Sequence, residues 1–126
     1  MRTFVAAKIH GIHVTDKALH YSGSQTIFEM TGSIAGRVRM IGDRTITSIG
    51  PIARLQRIAD DDAECTEPQN MLAELCEDNK NLAARLREAH NVCDEHRDIA
   101  TASLLEVRID ETERRTRFPF EASNPK

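Results

Sequence analysis

Apolar residues recur with helical spacing through the second half of the chain. One set follows Pro68 at steps of three, four or seven residues, and a second set follows residues 96–98: Leu72, Leu75, Leu82, Leu86, Ala89 and Cys93, then Leu105, Ile109, Thr112 and Thr116. The pattern predicts two long amphipathic helices within residues 66–120, joined by a tight turn. The first helix, over residues 68–96, would be about 43 Å long at ~1.5 Å per residue. Such a helix needs a bundle or a partner to cover its apolar face.

Two shorter helices are predicted before this pair. Ile27, Met30, Ile34, Val38 and Ile41 recur at steps of three and four, which predicts a helix over residues 27–41 that ends at Gly42. A short helix is predicted within residues 52–58. The acidic run at residues 60–64 lacks the spacing of a calcium loop and favours a solvated hinge. Thr66 and Gln69 then predict a capping box, with Pro68 in the first turn.

Residues 1–24 have a different pattern. β-branched and apolar residues in partial alternation predict short strands at residues 4–7 and 9–15, and Ser22-Gly23-Ser24 predicts a turn. The first part of the chain therefore predicts strands and loops, whereas the rest predicts helices.

Composition favours one soluble domain. The 126 residues are 40% hydrophobic and 29% charged, with a net charge of -3. Cys65, Cys76 and Cys93 form no CxxC pair, and their odd number argues for free thiols rather than a disulfide framework. No signal peptide and no apolar run of ~18 residues is present, which predicts a cytoplasmic protein. Basic residues are in excess over residues 1–58, and acidic residues are in excess over the rest. This asymmetry could serve subunit packing or an anionic partner, but solvated helix faces are its commoner cause, and it does not establish nucleic-acid binding.

The first segment resembles the amino-terminal end of aspartate 1-decarboxylase, a pyruvoyl enzyme of β-alanine and pantothenate synthesis. The resemblance rests on Ala7-Lys8-Ile9-His10, Val14-Thr15 and Leu19-His20-Tyr21-Ser22-Gly23-Ser24. It implies self-cleavage between Gly23 and Ser24, conversion of Ser24 to the pyruvoyl cofactor, and Lys8 and Tyr21 on the substrate side. The rest of that family's barrel has no counterpart here. A decarboxylase fragment is therefore the alternative function.

The longer segment resembles the Dps (DNA protection during starvation) branch of the ferritin-like proteins over about residues 25–123. The matching runs are Ile27-Phe28-x-Met30-Thr31, Ile34-Ala35-x-Arg37-Val38, Ser48-Ile49-Gly50, Ile52-Ala53-Arg54-Leu55, Met71-Leu72-Ala73-Glu74-Leu75, Arg85-Leu86-Arg87-Glu88-Ala89, Asp98-Ile99-Ala100-Thr101-Ala102-Ser103-Leu104 and Ile109-Asp110-Glu111-Thr112-Glu113-Arg114-Arg115-Thr116. The two resemblances together imply a chimeric chain, in which a decarboxylase-like segment joins a Dps-like segment near residues 24–28. Residues 124–126 would form a short tail.

The Dps resemblance implies a mainly α fold, an incomplete ferritin-like four-helix bundle. Two long C-terminal helices and a remnant of the second bundle helix would follow the β/loop segment. The family assembles as a homo-dodecamer, stores iron after oxidising Fe(II) with peroxide, and protects DNA under stress. DNA is therefore an implied partner, with nucleoid association as an expectation and no membrane contact.

The resemblance also implies that the ferroxidase centre is lost. Gly32 and Gly36 match the positions of the family's Asp and Glu ligands, and glycine has no side-chain ligand atom. We therefore assign no catalytic or metal-binding residue with the Dps fold and expect no ferroxidase activity. His10, His13 and His20 have no matched carboxylates and favour packing or solvated roles. Asp94, Glu95 and Asp98 match the acidic iron-entry pore.

Four further positions depart from the family in ways that predict weaker packing. Arg97 stands in place of glycine at the turn between the long helices, and Arg108 and Arg117 stand in place of tryptophan. Pro119 falls where the last helix should continue. A non-glycine residue in a left-handed turn, a buried unpaired guanidinium and a helical proline each cost on the order of 1 to several kcal/mol.

Overall fold

The chain folds into four helices in a computed structural model that describes residues 24–60 and 67–123, with side chains over 27–60 and 67–117. We number them α1 (Ser24–Met40), α2 (Ile49–Leu55), α3 (Pro68–Glu95) and α4 (Ile99–Ser123). The described residues contain no strand. The mainly α class is therefore confirmed for the described residues. The predicted strands of the β/loop segment lie outside the described residues.

α3 and α4 form the main helical hairpin, and α1 lies against it. The buried face of α1 joins residues of both long helices in one hydrophobic cluster, which contains Ile27, Met30, Ile34, Val38, Leu82, Leu86, Ala89, Cys93, Ala102 and Leu105. Met30 and Leu105 are completely buried. The helical spacing read from the sequence therefore identified most of this cluster, since one apolar stripe per helix must be buried against its neighbours. The predicted residues Ile41, Leu72 and Leu75 are only half-buried and lie outside it.

Both α1 and α3 end in the same hydrogen-bonded cap. After α1 the amide of Asp43 donates to the carbonyl of Val38 at 3.1 Å, and that of Gly42 donates to Arg39 at 2.9 Å. This is a Schellman motif, and it needs a residue with positive φ at Gly42, where φ is 83°. The predicted helix stop at Gly42 is confirmed.

The bounds of α2 and the N-cap of α3 differ from the predictions, whereas the first residue of α3 agrees with its prediction. α2 begins at Ile49 and ends at Leu55, earlier than the predicted segment, and none of its residues is buried. α3 begins at Pro68 as predicted, because proline at the first helical position loses no hydrogen bond. Its N-cap is Glu67, whose side chain makes no capping hydrogen bond, and Thr66 lies outside the described residues.

Two predicted interruptions are wrong. Ser24 is already the first residue of α1, so the predicted turn at residues 22–24 does not extend through it. α4 continues past Pro119 to Ser123. A proline removes a single backbone donor, and so near a helix end it disturbs only the last hydrogen bonds. Within the described residues, no helix is both long and apolar enough to cross a membrane.

Candidate functional site

Gly32 and Gly36 lie one helical turn apart on α1, away from its buried stripe. Gly32 is exposed and Gly36 is half-buried. A Cβ atom built at either position meets no atom within 4 Å outside the local helix backbone. The two positions that the Dps resemblance matches to carboxylate ligands therefore face open space, and glycine offers no side-chain ligand atom there.

The described residues bring no other metal-ligating side chains together. They contain no group of three or more His, Cys, Asp or Glu side chains placed to hold a metal ion. His90 bonds to Glu106 on α4 at 2.9 Å, and His96 Nδ1 lies 2.9 Å from the Val92 carbonyl. His10, His13 and His20 lie outside the described residues.

The three acidic residues of the predicted pore differ in environment. Asp94 and Glu95 end α3 and are exposed. Asp98 instead serves as the N-cap of α4: its carboxylate accepts the amide of Thr101 at 3.2 Å and also the Thr101 hydroxyl. The structure therefore brings Asp94 and Glu95 to the helix end as solvated acids, whereas Asp98 is occupied by capping.

Arg37 ties this cap to α1. Its Nη2 donates to Asp98 Oδ1 at 3.0 Å, and its Nε donates to Thr101 Oγ1 at 2.8 Å. The side chains of Arg37 and Asp98 are only 24% and 25% exposed. One guanidinium thus contacts both the N-cap residue of α4 and Thr101 in its first turn, an arrangement that fixes the end of α1 relative to the α3–α4 turn.

The electrostatics of the turn follow from these contacts. The pKa of Asp98 is lowered, chiefly by the hydrogen bond from the Thr101 hydroxyl. The Thr101 amide and the charge of Arg37 lower it further, and together these effects outweigh partial burial, which raises it. Burial is the main cause that raises the pKa of the nearby Cys93 thiol, and Asp98 raises it further against an opposing effect of Arg37. Cys93 and Cys76 are buried free thiols, as predicted, whereas Cys65 lies outside the described residues.

A small cavity of about 30 Å³ lies beside this cap. Its wall includes apolar side chains of all three long helices, together with Arg37, Cys93, Asp98 and Thr101 at one end. The volume is enough for about one water molecule. The cavity is a packing gap beneath the cap, with no room for an organic substrate.

Arg97 occupies the left-handed position after α3. Its φ is 55°, and it is the C′ residue of a second Schellman motif, in which Asp98 N donates to Cys93 O at 2.9 Å and Arg97 N to Asp94 O at 3.0 Å. The sequence-based expectation of a non-glycine residue in a left-handed turn is confirmed. The same turn that carries the predicted pore residues is therefore strained.

The two arginines at family tryptophan positions differ. Arg108 has a side chain only 18% exposed, bonds to Glu111 and to Ser33 Oγ, and leaves its Nε buried without a partner. Arg117 is exposed and interacts with a neighbour, so the expected burial of its guanidinium is wrong. Its position at the edge of the α3–α4 pair lets the long side chain reach solvent.

Sequence reasoning missed one buried polar network between α3 and α4. Arg115 is only 7% exposed, and its guanidinium donates to Thr112 Oγ1 at 2.9 Å and to Asn79 Oδ1 at 3.4 Å. A helical Arg normally indicates a solvated face, so no local pattern marks this one.

The structure does not describe the side chains of the decarboxylase alternative. Lys8, Tyr21 and Gly23 lie outside the described residues, and Ser24 is described only as backbone.

Comparison with known proteins places this arrangement in a family. The sequence profile of the ferritin-like domain matches residues 17–118. The match begins within the segment that we assigned to the decarboxylase resemblance. No curated protein matches the chain at a significant level.

Two solved structures share the fold. The Dps protein from Bacillus brevis is 20% identical, with a TM-score of 0.70 over 95% of this chain and 85% of that chain. Dps from Staphylococcus aureus is 11% identical, with a TM-score of 0.80 over 98% of this chain and 94% of that chain. At such low identity these likenesses describe the backbone arrangement and leave the chemistry of the site to its own residues.

Proposed function

Because the chain belongs to the ferritin-like family, we propose that it is a Dps-like protein whose ferroxidase centre is lost. In this proposal the chain retains the family's oligomeric, iron-sequestering and DNA-protecting role, in the cytoplasm and in association with the nucleoid. Iron is its cargo. The observation that carries the proposal is the pair Gly32 and Gly36, which present no ligand atoms at the two matched carboxylate positions.

The chemistry of iron binding supports the loss of activity. Fe(II) oxidation by peroxide needs a site that holds the metal through oxygen and nitrogen ligands while leaving a position open for the oxidant. Backbone carbonyls within a helix are occupied by hydrogen bonds, so two glycines leave no replacement ligands. Uncatalysed oxidation in solution, followed by deposition of ferric iron, would then be the only route to storage.

Peroxide-driven iron oxidation tests the proposal. Fe(II) is mixed with the full chain and hydrogen peroxide, and ferric iron is followed by absorbance against a buffer control. We expect the wild-type chain to oxidise Fe(II) at the buffer rate. The double variant Gly32→Asp/Gly36→Glu supplies two hard oxygen ligands but no nitrogen ligand, so it should bind Fe(II) more tightly than the matched variant Gly32→Ala/Gly36→Ala in equilibrium dialysis. Rapid oxidation by the wild-type chain would show that the centre is intact.

Assembly and DNA binding are tested separately. Light scattering after size exclusion gives the number of 14.1 kDa chains per particle, and twelve is the expectation from the family. A net charge of -3 means that DNA contact must use local basic surfaces, so polarisation of labelled duplex DNA should show affinity that falls steeply with salt. Absence of binding at low salt would remove DNA protection from the proposal.

A further inference from the structure

Two adjoining hollows run along the seam between α3 and α4. The first, of about 380 Å³, is lined by Lys80, Ala83, Arg87, Glu113, Thr116 and Arg117. The second, of about 370 Å³, is lined by Arg87, His90, Asn91, Glu106, Ile109, Asp110 and Glu113. Arg87 and Glu113 line both, and they form an ion pair across the two helices. We call the surface formed by these two neighbouring hollows the seam.

The two halves of the seam carry opposite charge. The first hollow holds three cations, Lys80, Arg87 and Arg117, against the carboxylate of Glu113. The second holds the single permanent cation Arg87 against the three carboxylates of Glu106, Asp110 and Glu113. Lys80 also pairs with Glu77 at 3.8 Å, and Asp110 pairs with Arg114 at 2.9 Å. The side chains of all four residues are more than half exposed, so these charges stay largely hydrated. The seam is therefore positive at one end and negative at the other.

This separation of charge survives at physiological salt. Lys80 marks the positive end of the seam, and His90, which contacts Glu106, marks the negative end. The two residues are ten positions apart on α3, which corresponds to about 15 Å at ~1.5 Å per residue. That distance exceeds the ~8 Å Debye length at physiological ionic strength. A partner therefore meets two distinct potentials rather than one averaged charge.

The pattern selects the kind of partner. A phosphate backbone would be repelled by the negative half, and a basic peptide would be repelled by the positive half. A fitting surface must carry both signs in the reverse order, and the seam itself does so when it is turned end to end. A two-fold axis perpendicular to the helices makes that match, because it maps each end of one copy onto the opposite end of the other.

We propose that the seam is a self-complementary docking surface for a second copy of this chain, paired antiparallel about a two-fold axis. Buried Ala83 and half-buried Ile109 give the contact a small apolar floor, and the charges around them set its orientation. The seam spans only about 17 Å of helix, so the association is weak and salt-sensitive. It does not depend on iron chemistry or on DNA binding.

Zero-length cross-linking tests the pairing directly. Full-length chains, half of them labelled with ¹⁵N, are treated with a carbodiimide, which joins an amine to a carboxylate only in direct contact. We expect a Lys80–Glu106 cross-link whose two peptides carry mixed isotope labels, which proves that it joins two copies. The yield should fall about fivefold at 1 M salt, where the Debye length is ~3 Å. A cross-link confined to single chains, or none, would overturn the proposal.

Charge reversal supplies the second arm and leaves both cross-linking residues in place. Arg117→Glu and Asp110→Lys should each lower the yield about fivefold, and an equimolar mixture of the two should restore it, since each variant then meets its reversed counterpart. Arg44→Glu/Arg54→Glu reverses exposed cations away from the seam and should leave the yield unchanged. Circular dichroism checks that each variant remains helical. Failure of the mixture to recover would contradict an antiparallel pair.

Discussion

Arg37 and Asp98 join two parts of the chain that are 61 residues apart through a hydrogen-bonded ion pair of 3.0 Å. The pair connects the last turns of α1 to the first residue before α4, at the level of the α3–α4 turn. Thr101 accepts a second hydrogen bond from the same guanidinium. Removing one partner would leave the other partly buried charge unpaired, which makes this contact a principal tether of α1 to the hairpin.

The Asp98 cap should make stability depend on acid pH. Because the folded-state pKa of Asp98 is lowered, its carboxylate contributes stability that is fully present above its unfolded pKa of roughly 4. That stability is lost as the pH falls through the lower folded-state pKa. Denaturant unfolding between pH 7 and pH 2 should show this loss in the wild-type chain.

Two variants isolate the charge from the cap. Asp98→Ala removes both and should cost about 1 to 2 kcal/mol at pH 7, whereas Asp98→Asn keeps a good N-cap and should cost less. The difference between wild type and Asp98→Asn should shrink as the pH falls through the lowered folded-state pKa of Asp98, because the charge that distinguishes the two side chains is then lost. A difference that stays constant with pH would show that the ion pair contributes nothing to stability.

Arg97→Gly should stabilise the chain. Arg97 holds a φ of 55°, a conformation that places an L side chain too close to the backbone and that glycine adopts freely. We expect a gain of about 1 kcal/mol, or roughly 3 to 6 °C in Tm for a domain of this size. Arg97→Ala is the matched control: it removes the guanidinium but keeps the Cβ, and it should leave Tm close to wild type. Equal gains from both variants would place the cost in the charge instead of the backbone.

Arg108→Met should also stabilise the chain. The guanidinium of Arg108 is mostly buried and its Nε has no partner, and an unsatisfied buried donor costs about 1 to 3 kcal/mol. Methionine fills similar space without that donor, and Ser33 keeps its bond to the Met30 carbonyl at 3.0 Å. We expect a net gain of about 1 kcal/mol by urea unfolding. Arg114→Met, at an exposed position, is the control, and its free energy of unfolding should stay within about 0.5 kcal/mol of wild type. A lower free energy of unfolding in Arg108→Met would mean that the bonds of Arg108 to Glu111 and Ser33 stabilise the fold more than its unpaired Nε destabilises it.

The helices could be predicted because their signals are local. The apolar spacing around Met30, Leu86 and Leu105 is a property of neighbouring turns, and it identified α1, α3 and α4 as well as most residues of their core. The Asp98-x-x-Thr101 spacing could have identified the cap of α4 in the same way. These elements need no knowledge of distant parts of the chain.

The long-range contacts could not be predicted, since nothing in a local pattern shows what a side chain meets across the bundle. Arg37 and Arg115 look like ordinary surface residues of amphipathic helices, yet each contacts a residue on another helix. The meaning of Gly32 and Gly36 came only from the family resemblance. In the sequence alone they are two weak positions in a helix.

The last prediction concerns the stability of α1, which Gly32 and Gly36 lower because glycine is a poor helix former. Gly32 and Gly36 lie inside α1, and a Cβ at either meets nothing within 4 Å. Alanine at each should therefore stabilise α1 by up to about 1 kcal/mol per site, through helix propensity alone. Gly42→Ala is the contrasting control. With a φ of 83° its Cβ would be strained, and stability should fall by about 1 kcal/mol. Thermal unfolding followed by far-UV circular dichroism measures all three variants. If Gly32→Ala or Gly36→Ala were destabilising, those positions would have to pack closely against a neighbouring copy, and the open space on that face of α1 would be filled in the assembled protein.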